Sequence, residues 1–195
     1  LRDGVSPGQT SFWWPQVAID GSTLPTWRDA AESLQPDASV QLWDLDAGVR
    51  LPGFAELDAY PEQSERQRSL LVRPLRGLPP GARVAVVVTT RVLTQDGQPM
   101  PSPSAFAAIR EGDADQDLPV TQHYRALLDR LGALGVPSSE VAFAWDFLVA
   151  TTSNSTAPLD HVLATMRAEL PLDAGFVPTV RVDVTLDADL GSPPA

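Results

Sequence analysis

The sequence contains no cysteine, no lysine, only two histidines and no long apolar run. Without cysteine, disulfides, thiolate metal sites and cysteine nucleophiles are excluded. Because a membrane-spanning helix needs about 18 or more consecutive apolar residues, we expect no transmembrane segment. All 14 basic residues are arginine, and this bias favours a GC-rich bacterial genome.

Acidic residues outnumber basic ones by 25 to 14, which gives the 195-residue chain a net charge of −11. A nucleic-acid partner needs a basic surface, so this class of function is disfavoured. The hydrophobic content of 43% is ample for a packed core. The length corresponds to one large domain or one elaborated domain.

Short runs that alternate apolar and polar residues, bounded by Pro and Gly turns, predict strands. Residues 1–25, which precede these runs, are predicted to be extended. The predicted strands are Ser39–Asp46, Val49–Leu57, Gln67–Leu75, Ala82–Leu93, Val141–Ala150 and Val177–Asp187.

Helical patterns are concentrated in the second half of the chain. Apolar residues recur at helical spacing from Tyr124 to Leu134, Gly135 is a natural helix end, and Pro137 stops continuation. The predicted helices are 27–34, Ser102–Arg110, Leu118–Leu134 and Pro158–Leu170.

Strands followed by mixed helices and strands indicate a mainly β fold with added helices, of the α+β class. We expect a β-sandwich core in 1–100, a helical insertion in 101–140 and returning strands and a helix in 141–187. Residues 188–195 are expected to be a linker to a further domain of a larger polypeptide. The predicted core residues are Leu70, Val72, Val84, Val86, Val88, Phe143, Trp145 and Phe147.

Residues 66–99 carry a recurring pattern of strand, Leu-x-Pro-Gly turn, strand and Asp-Gly turn. It consists of Leu71–Leu75, Leu78–Gly81, Val84–Thr90 and Asp96–Pro99. This stretch resembles bacterial Ig-like domains of cell-surface proteins. The resemblance implies an Ig-like sandwich of about seven strands.

A wider pattern resembles the N-terminal region of secreted bacterial lipase or esterase proteins, in which an α/β-hydrolase domain follows. The resemblance implies a non-catalytic accessory module, outside the cell or in the cell envelope, with the downstream domain as its partner. The matching residues are Pro103, Phe106, Ile109, Arg110, Tyr124, Leu127, Leu128, Gly135, Val136, Ala144, Trp145, Asp146, Phe147, Thr151, Met166 and Arg167.

No catalytic residue is predicted within this chain, and no cofactor. A serine hydrolase needs a Gly-x-Ser-x-Gly elbow and a histidine base, and the elbow is absent. His123 and His161 both fall in predicted helices. A triad of His161, Asp160 and Ser155 is disfavoured because adjacent Asp and His side chains point in different directions on a helix.

Two acidic features have structural and functional interpretations. Asp113, Asp115 and Asp117 resemble the start of a calcium loop but lack its later Gly and Glu, so a solvated loop is the simpler interpretation.

Asp146 lies inside an apolar strand, and burial of a carboxylate is costly without a partner. We expect Asp146 to cap the N-terminus of a neighbouring helix or to pair with an arginine such as Arg110 or Arg167.

The first 45 residues are rich in aromatic side chains. Trp13, Trp14 and Trp43 are candidate ligand-binding residues, with core or inter-domain packing as the alternative. Trp13 and Trp14 cannot both point inward from a strand, because neighbours alternate faces. A surface adhesion or glycan-binding module, with a protein or glycan ligand, is therefore the alternative function.

Overall fold

The structure is a computed structural model that describes residues 3–29, 31–59 and 68–169. Within these residues, seven strands form two antiparallel sheets. A three-stranded sheet has the order β1-β5-β4, and a four-stranded sheet has the order β3-β2-β6-β7. The strands are β1 (Ser11–Trp13), β2 (Val40–Asp44), β3 (Val49–Leu51), β4 (Gly53–Leu57), β5 (Leu70–Pro74), β6 (Arg83–Thr89) and β7 (Val141–Leu148).

The described residues contain three α-helices, α1 (Ser104–Glu111), α2 (Pro119–Ala133) and α3 (Thr152–Glu169). The predictions of α1 and α2 are confirmed, and Gly135 follows α2 with a left-handed φ of 87°. The α3 helix begins six residues before the predicted start at Pro158. The Thr151 hydroxyl accepts a hydrogen bond from the Asn154 amide at 3.2 Å, and this side-chain cap starts the helix early.

The prediction of a helix over 27–34 is wrong. Only a three-residue 3-10 helix, Glu32–Leu34, forms there. Pro25 precedes the segment and Pro36 follows it. The interval between them is too short for an isolated helix without a packed apolar face. The predicted strand Val177–Asp187 and the predicted linker 188–195 lie outside the described residues.

The first hydrophobic core lies between the two sheets. Leu70 and Val72 of β5 face Val84, Val86 and Val88 of β6, and all five are at most 2% exposed, as predicted. The prediction that Phe143, Trp145 and Phe147 are core residues is correct only in part. These side chains are half-buried because β7 is the last strand of the larger sheet.

The second core lies on the opposite face of the larger sheet. Leu127, Leu128 and Leu131 of α2 pack there against the small side chains of Ala85 and Ala144. The central sheet is therefore covered on both faces, by the smaller sheet and by the helices. Double coverage explains why Val84–Val88 is completely buried instead of alternating.

The chain divides into two compact units, Leu1–Thr156 and Ala157–Ala195. The first contains both sheets, α1 and α2. In the second, the described residues belong to α3, whose Leu159, Val162, Leu163 and Met166 are exposed. None of the described helices is both long and apolar enough to cross a membrane.

Candidate functional site

A polar cluster joins α2 to the central sheet at Asp146 of β7. Asp146 lies opposite Ala85 in the β6–β7 register, and directly opposite residues share one face of a sheet. Because Ala85 faces the helices, the Asp146 side chain also points toward them. The Nε2 atom of His123 donates to Oδ1 of Asp146 at 2.6 Å, and a guanidinium nitrogen of Arg83 donates to Oδ2 at 2.9 Å. Asp146 is 5% exposed, whereas His123 and Arg83 are almost half exposed.

The cluster borders a small cleft of about 180 Å³. On the far wall, Arg130 donates two hydrogen bonds to the Leu45 carbonyl oxygen. The Arg83 amide donates to the Asp46 carboxylate at 2.8 Å. Burial and the charge of Asp146 raise the pKa of the neighbouring Tyr124. The Arg130 and His123 hydrogen bonds fasten α2 to the larger sheet, and the Arg83–Asp46 bond joins β6 to the turn after β2.

Chemically, the His123–Asp146 pair has the geometry of a base with its orienting carboxylate. Nucleophilic catalysis also needs a hydroxyl or thiol beside the imidazole. The cleft is lined by carboxylate, guanidinium, imidazole and apolar side chains, without a hydroxyl or thiol. The arrangement therefore lacks an adjacent nucleophile among its lining residues.

The prediction that Asp146 pairs with an arginine is confirmed, but that arginine is neither Arg110 nor Arg167. The partners of Asp146 are Arg83 and His123, whereas Arg110 donates to the Val141 carbonyl oxygen at 2.7 Å and to the Ser102 hydroxyl at 2.8 Å. Arg110 thus ties α1 to the start of β7. Arg167 lies exposed in α3, as does His161.

Asp146→Asn is expected to lower the free energy of unfolding by about 1 kcal/mol, because it weakens two charge-assisted hydrogen bonds to half-exposed partners. In a double-mutant cycle with His123→Ala, the coupling energy should be roughly 0.5–1 kcal/mol. Urea denaturation measures both. Asp113→Asn, on an exposed loop carboxylate, is the matched control and should change stability little. An Asp146→Asn variant as stable as this control would contradict the structural role.

The three candidate tryptophans have different environments. Trp43 is 5% exposed, its Nε1 donates to Gln41 Oε1 at 3.0 Å, and the Arg50 guanidinium lies 4.8 Å from its ring centroid. It is a core residue and cannot present a surface for stacking. Trp13 points inward against Phe143, with ring centroids 4.9 Å apart, while Trp14 is 55% exposed. The predicted division between the two neighbours is confirmed.

The calcium candidates do not converge on one point. Asp113, Asp115 and Asp117 are all exposed. The Asp117 amide donates to Oδ1 of Asp115 at 3.0 Å, which is a local turn. Across 3–29, 31–59 and 68–169, no three His, Asp or Glu side chains are grouped so that they could hold a metal ion.

A larger groove lies beside β4, the last strand of the smaller sheet, where the Ala55 amide donates to the Pro25 carbonyl oxygen at 3.0 Å. It has a volume of about 600 Å³ and is lined by Trp27, Arg28, Phe54, Glu56 and Arg68, among others. Trp27 is 62% exposed. The aromatic-rich beginning of the chain is the only signal that pointed toward it, because the other walls come from distant segments.

No known family model matches this sequence, and no curated protein matches it as a relative.

Proposed function

We propose that this chain is a non-catalytic accessory module of a secreted bacterial protein, which precedes an α/β-hydrolase domain and acts on it by contact. We also propose that its sandwich is Ig-like. The pattern in residues 66–99 supports this, as does the division into three and four strands, which an Ig constant-type sandwich shares. The lipase-like order of motifs along the chain supports the link to a hydrolase.

The outer face of the smaller sheet carries this proposal. Phe12 pairs with Leu71, and Leu71 with Glu56, so these side chains share the face turned away from the core. Phe12 is 69% exposed, and Trp14 is exposed just after the end of β1. We call Phe12, Trp14 and Leu71 the outer apolar face.

The outer apolar face, with its two exposed aromatic side chains, is typical of a contact surface. Large aromatic side chains contribute most of the binding energy at many protein interfaces, and exposed apolar patches mark such sites. Beside it, Arg73 donates to Glu56 at 2.6 Å and to the Thr10 hydroxyl at 3.1 Å. A polar border next to an aromatic centre suits an inter-domain interface.

Trp14→Ser in the parent polypeptide is expected to weaken the contact between this module and the hydrolase domain by about 2 kcal/mol, because the interface loses a Trp side chain that it would bury as an anchor. The measurement is thermal unfolding of the following domain, with Leu118→Ser at a similarly exposed apolar position as the control. In the isolated chain, Trp14→Ser should leave the unfolding temperature almost unchanged.

Three outcomes would contradict the proposal. One is a parent gene without a Gly-x-Ser-x-Gly domain downstream. Another is a parent protein that responds equally to Trp14→Ser and Leu118→Ser. The last is hydrolysis of p-nitrophenyl esters by the isolated chain that disappears in His123→Ala, because the chain would then be an enzyme.

A second candidate function is glycan binding. The observation that favours it is the 600 Å³ groove with an exposed indole ring among polar side chains. Sites for small molecules are concave, combine apolar and aromatic walls with a few polar groups, and span about 300–1,000 Å³.

A further inference from the structure

The groove beside β4 is assembled from four separate parts of the first unit. Residues 19–28 form one wall, residues 54–57 of β4 form a second wall that is joined to the first by the Ala55–Pro25 backbone hydrogen bond, and Arg68 and Gln95 complete the lining. Ile19, Leu24 and Ala55 anchor both walls in the core. The walls are therefore part of the folded sandwich and are formed before any ligand arrives.

The aromatic element of the groove is the indole ring of Trp27. The Arg28 guanidinium lies 5.2 Å from the centroid of this ring, in cation–π contact. Trp27 is nevertheless 62% exposed, so part of its ring surface remains accessible beside the guanidinium. Phe54 adds a half-buried aromatic surface to the wall formed by β4. An exposed indole in a concave site can stack against the apolar face of a sugar ring.

Among the described residues that line the groove, the charged side chains balance. Asp20 and Glu56 contribute two negative charges, and Arg28 and Arg68 contribute two positive ones. A polyanion would be repelled by both carboxylates and by the net charge of −11, and a cation would be repelled by both guanidinium groups. The lining therefore suits a neutral ligand with many hydrogen-bonding groups.

The polar groups are already oriented by their own hydrogen bonds. The Ser22 amide and hydroxyl donate to Asp20 Oδ1 at 3.0 and 2.7 Å, which also lowers the pKa of Asp20 and keeps it ionised. Arg68 donates to the carbonyl oxygens of Leu57 and Asp58. Glu56 is held by Arg73. Preformed groups reduce the entropy lost on binding.

We infer that this groove binds a neutral saccharide. A sugar ring stacks on Trp27, sugar hydroxyls donate to the carboxylates of Asp20 and Glu56, and the guanidinium of Arg68 donates to sugar oxygens. The inference depends on the second candidate function and not on the link to a hydrolase. It places the site at Trp27 and excludes Trp13, Trp14 and Trp43 from it.

The test is isothermal titration of the full chain with neutral hexasaccharides of glucose, mannose and xylose, and with polygalacturonate as the anionic probe. We expect binding of at least one neutral oligosaccharide and no preference for the anionic one. Trp27→Ala should weaken that binding at least about tenfold, since one aromatic stacking contact contributes on this order. Trp27→Phe, which keeps an aromatic face, should recover part of the affinity.

Trp14→Ala is the matched control, since Trp14 is similarly exposed but lies outside the groove. Unchanged urea denaturation of Trp27→Ala would show that the variant is folded. If a neutral sugar binds and only Trp14→Ala weakens it, glycan binding stands and the groove assignment is wrong. A preference for polygalacturonate overturns the neutral class of ligand. If none of the saccharides binds, both the groove assignment and the second candidate function are wrong.

Discussion

Leu70→Ala is expected to lower the free energy of unfolding by about 3 kcal/mol. Leu70 is 0% exposed and lies on β5, in the core between the two sheets. Its truncation removes apolar contacts and leaves a cavity, because surrounding β-branched side chains such as Val72 and Val86 are stiff and relax little. Urea denaturation monitored by tryptophan fluorescence measures the loss.

The neighbouring Leu71 provides the control on the same strand. Leu71 is only half-buried and faces outward, so Leu71→Ala should lower the free energy of unfolding by less than about 1 kcal/mol. Both substitutions remove the same atoms from the same backbone, so only the face of the strand differs. Equal losses in the two variants would mean that β5 does not place Leu70 between two packed sheets.

The inward position of Leu70 could be predicted from sequence because it depends only on the period of a strand. The alternation of Leu70, Val72 and Pro74 with Leu71 and Arg73 fixes which side chains share a face. The turn residues around β5 and β6 fixed the strand limits to within a few residues. Local patterns of this kind identified β2, β5, β6 and β7, and β1 falls inside the segment predicted to be extended. The prediction of one strand over Val49–Leu57 is wrong, because Pro52 separates β3 from β4 and the two strands belong to different sheets.

Coverage of the second face of the central sheet could not be predicted in the same way. Ala85 and Val87 are as buried as Val84 and Val86, because α1 and α2 pack onto them. A run of β-branched residues is compatible with double burial but does not show where helices dock. For the same reason, the half-exposure of Phe143 and Trp145 depends on β7 being at the edge of its sheet.

The candidate sites depend on long-range pairing, which no local spacing records. Asp146 meets Arg83 only because β6 and β7 pair in one particular register, and it meets His123 because α2 crosses that strand. The groove at Trp27 similarly joins segments that are 40 residues or more apart, such as Trp27 and Arg68. The sequence identified Asp146 and the aromatic beginning of the chain as unusual, but not their partners.

The beginning of the described chain is attached through backbone contacts at Gly4 that leave no space for a side chain. Val5 donates to the Leu148 carbonyl oxygen at 2.9 Å and accepts from the Ala150 amide at 2.8 Å, in a parallel bridge beyond the end of β7. A Cβ atom on Gly4 would lie 2.5–2.7 Å from backbone atoms of Leu148, Val149 and Ala150. These atoms cannot move aside as a flexible side chain would.

Gly4→Ala should therefore detach residues 3–5 and lower the free energy of unfolding by roughly 2 kcal/mol, the sum of the net contributions of the lost hydrogen bonds. The loss includes Asp3, which accepts from the Thr151 hydroxyl at 2.7 Å and from the Asn154 amide group at the start of α3. Hydrogen exchange should become faster at the Ala150 and Thr151 amides. Gly8→Ala is the matched control, because no atom lies within 4 Å of its added Cβ. Only Gly4 lies against the backbone at the end of β7. Equal stability of the Gly4→Ala and Gly8→Ala variants would therefore mean that the segment before β1 is not held against β7.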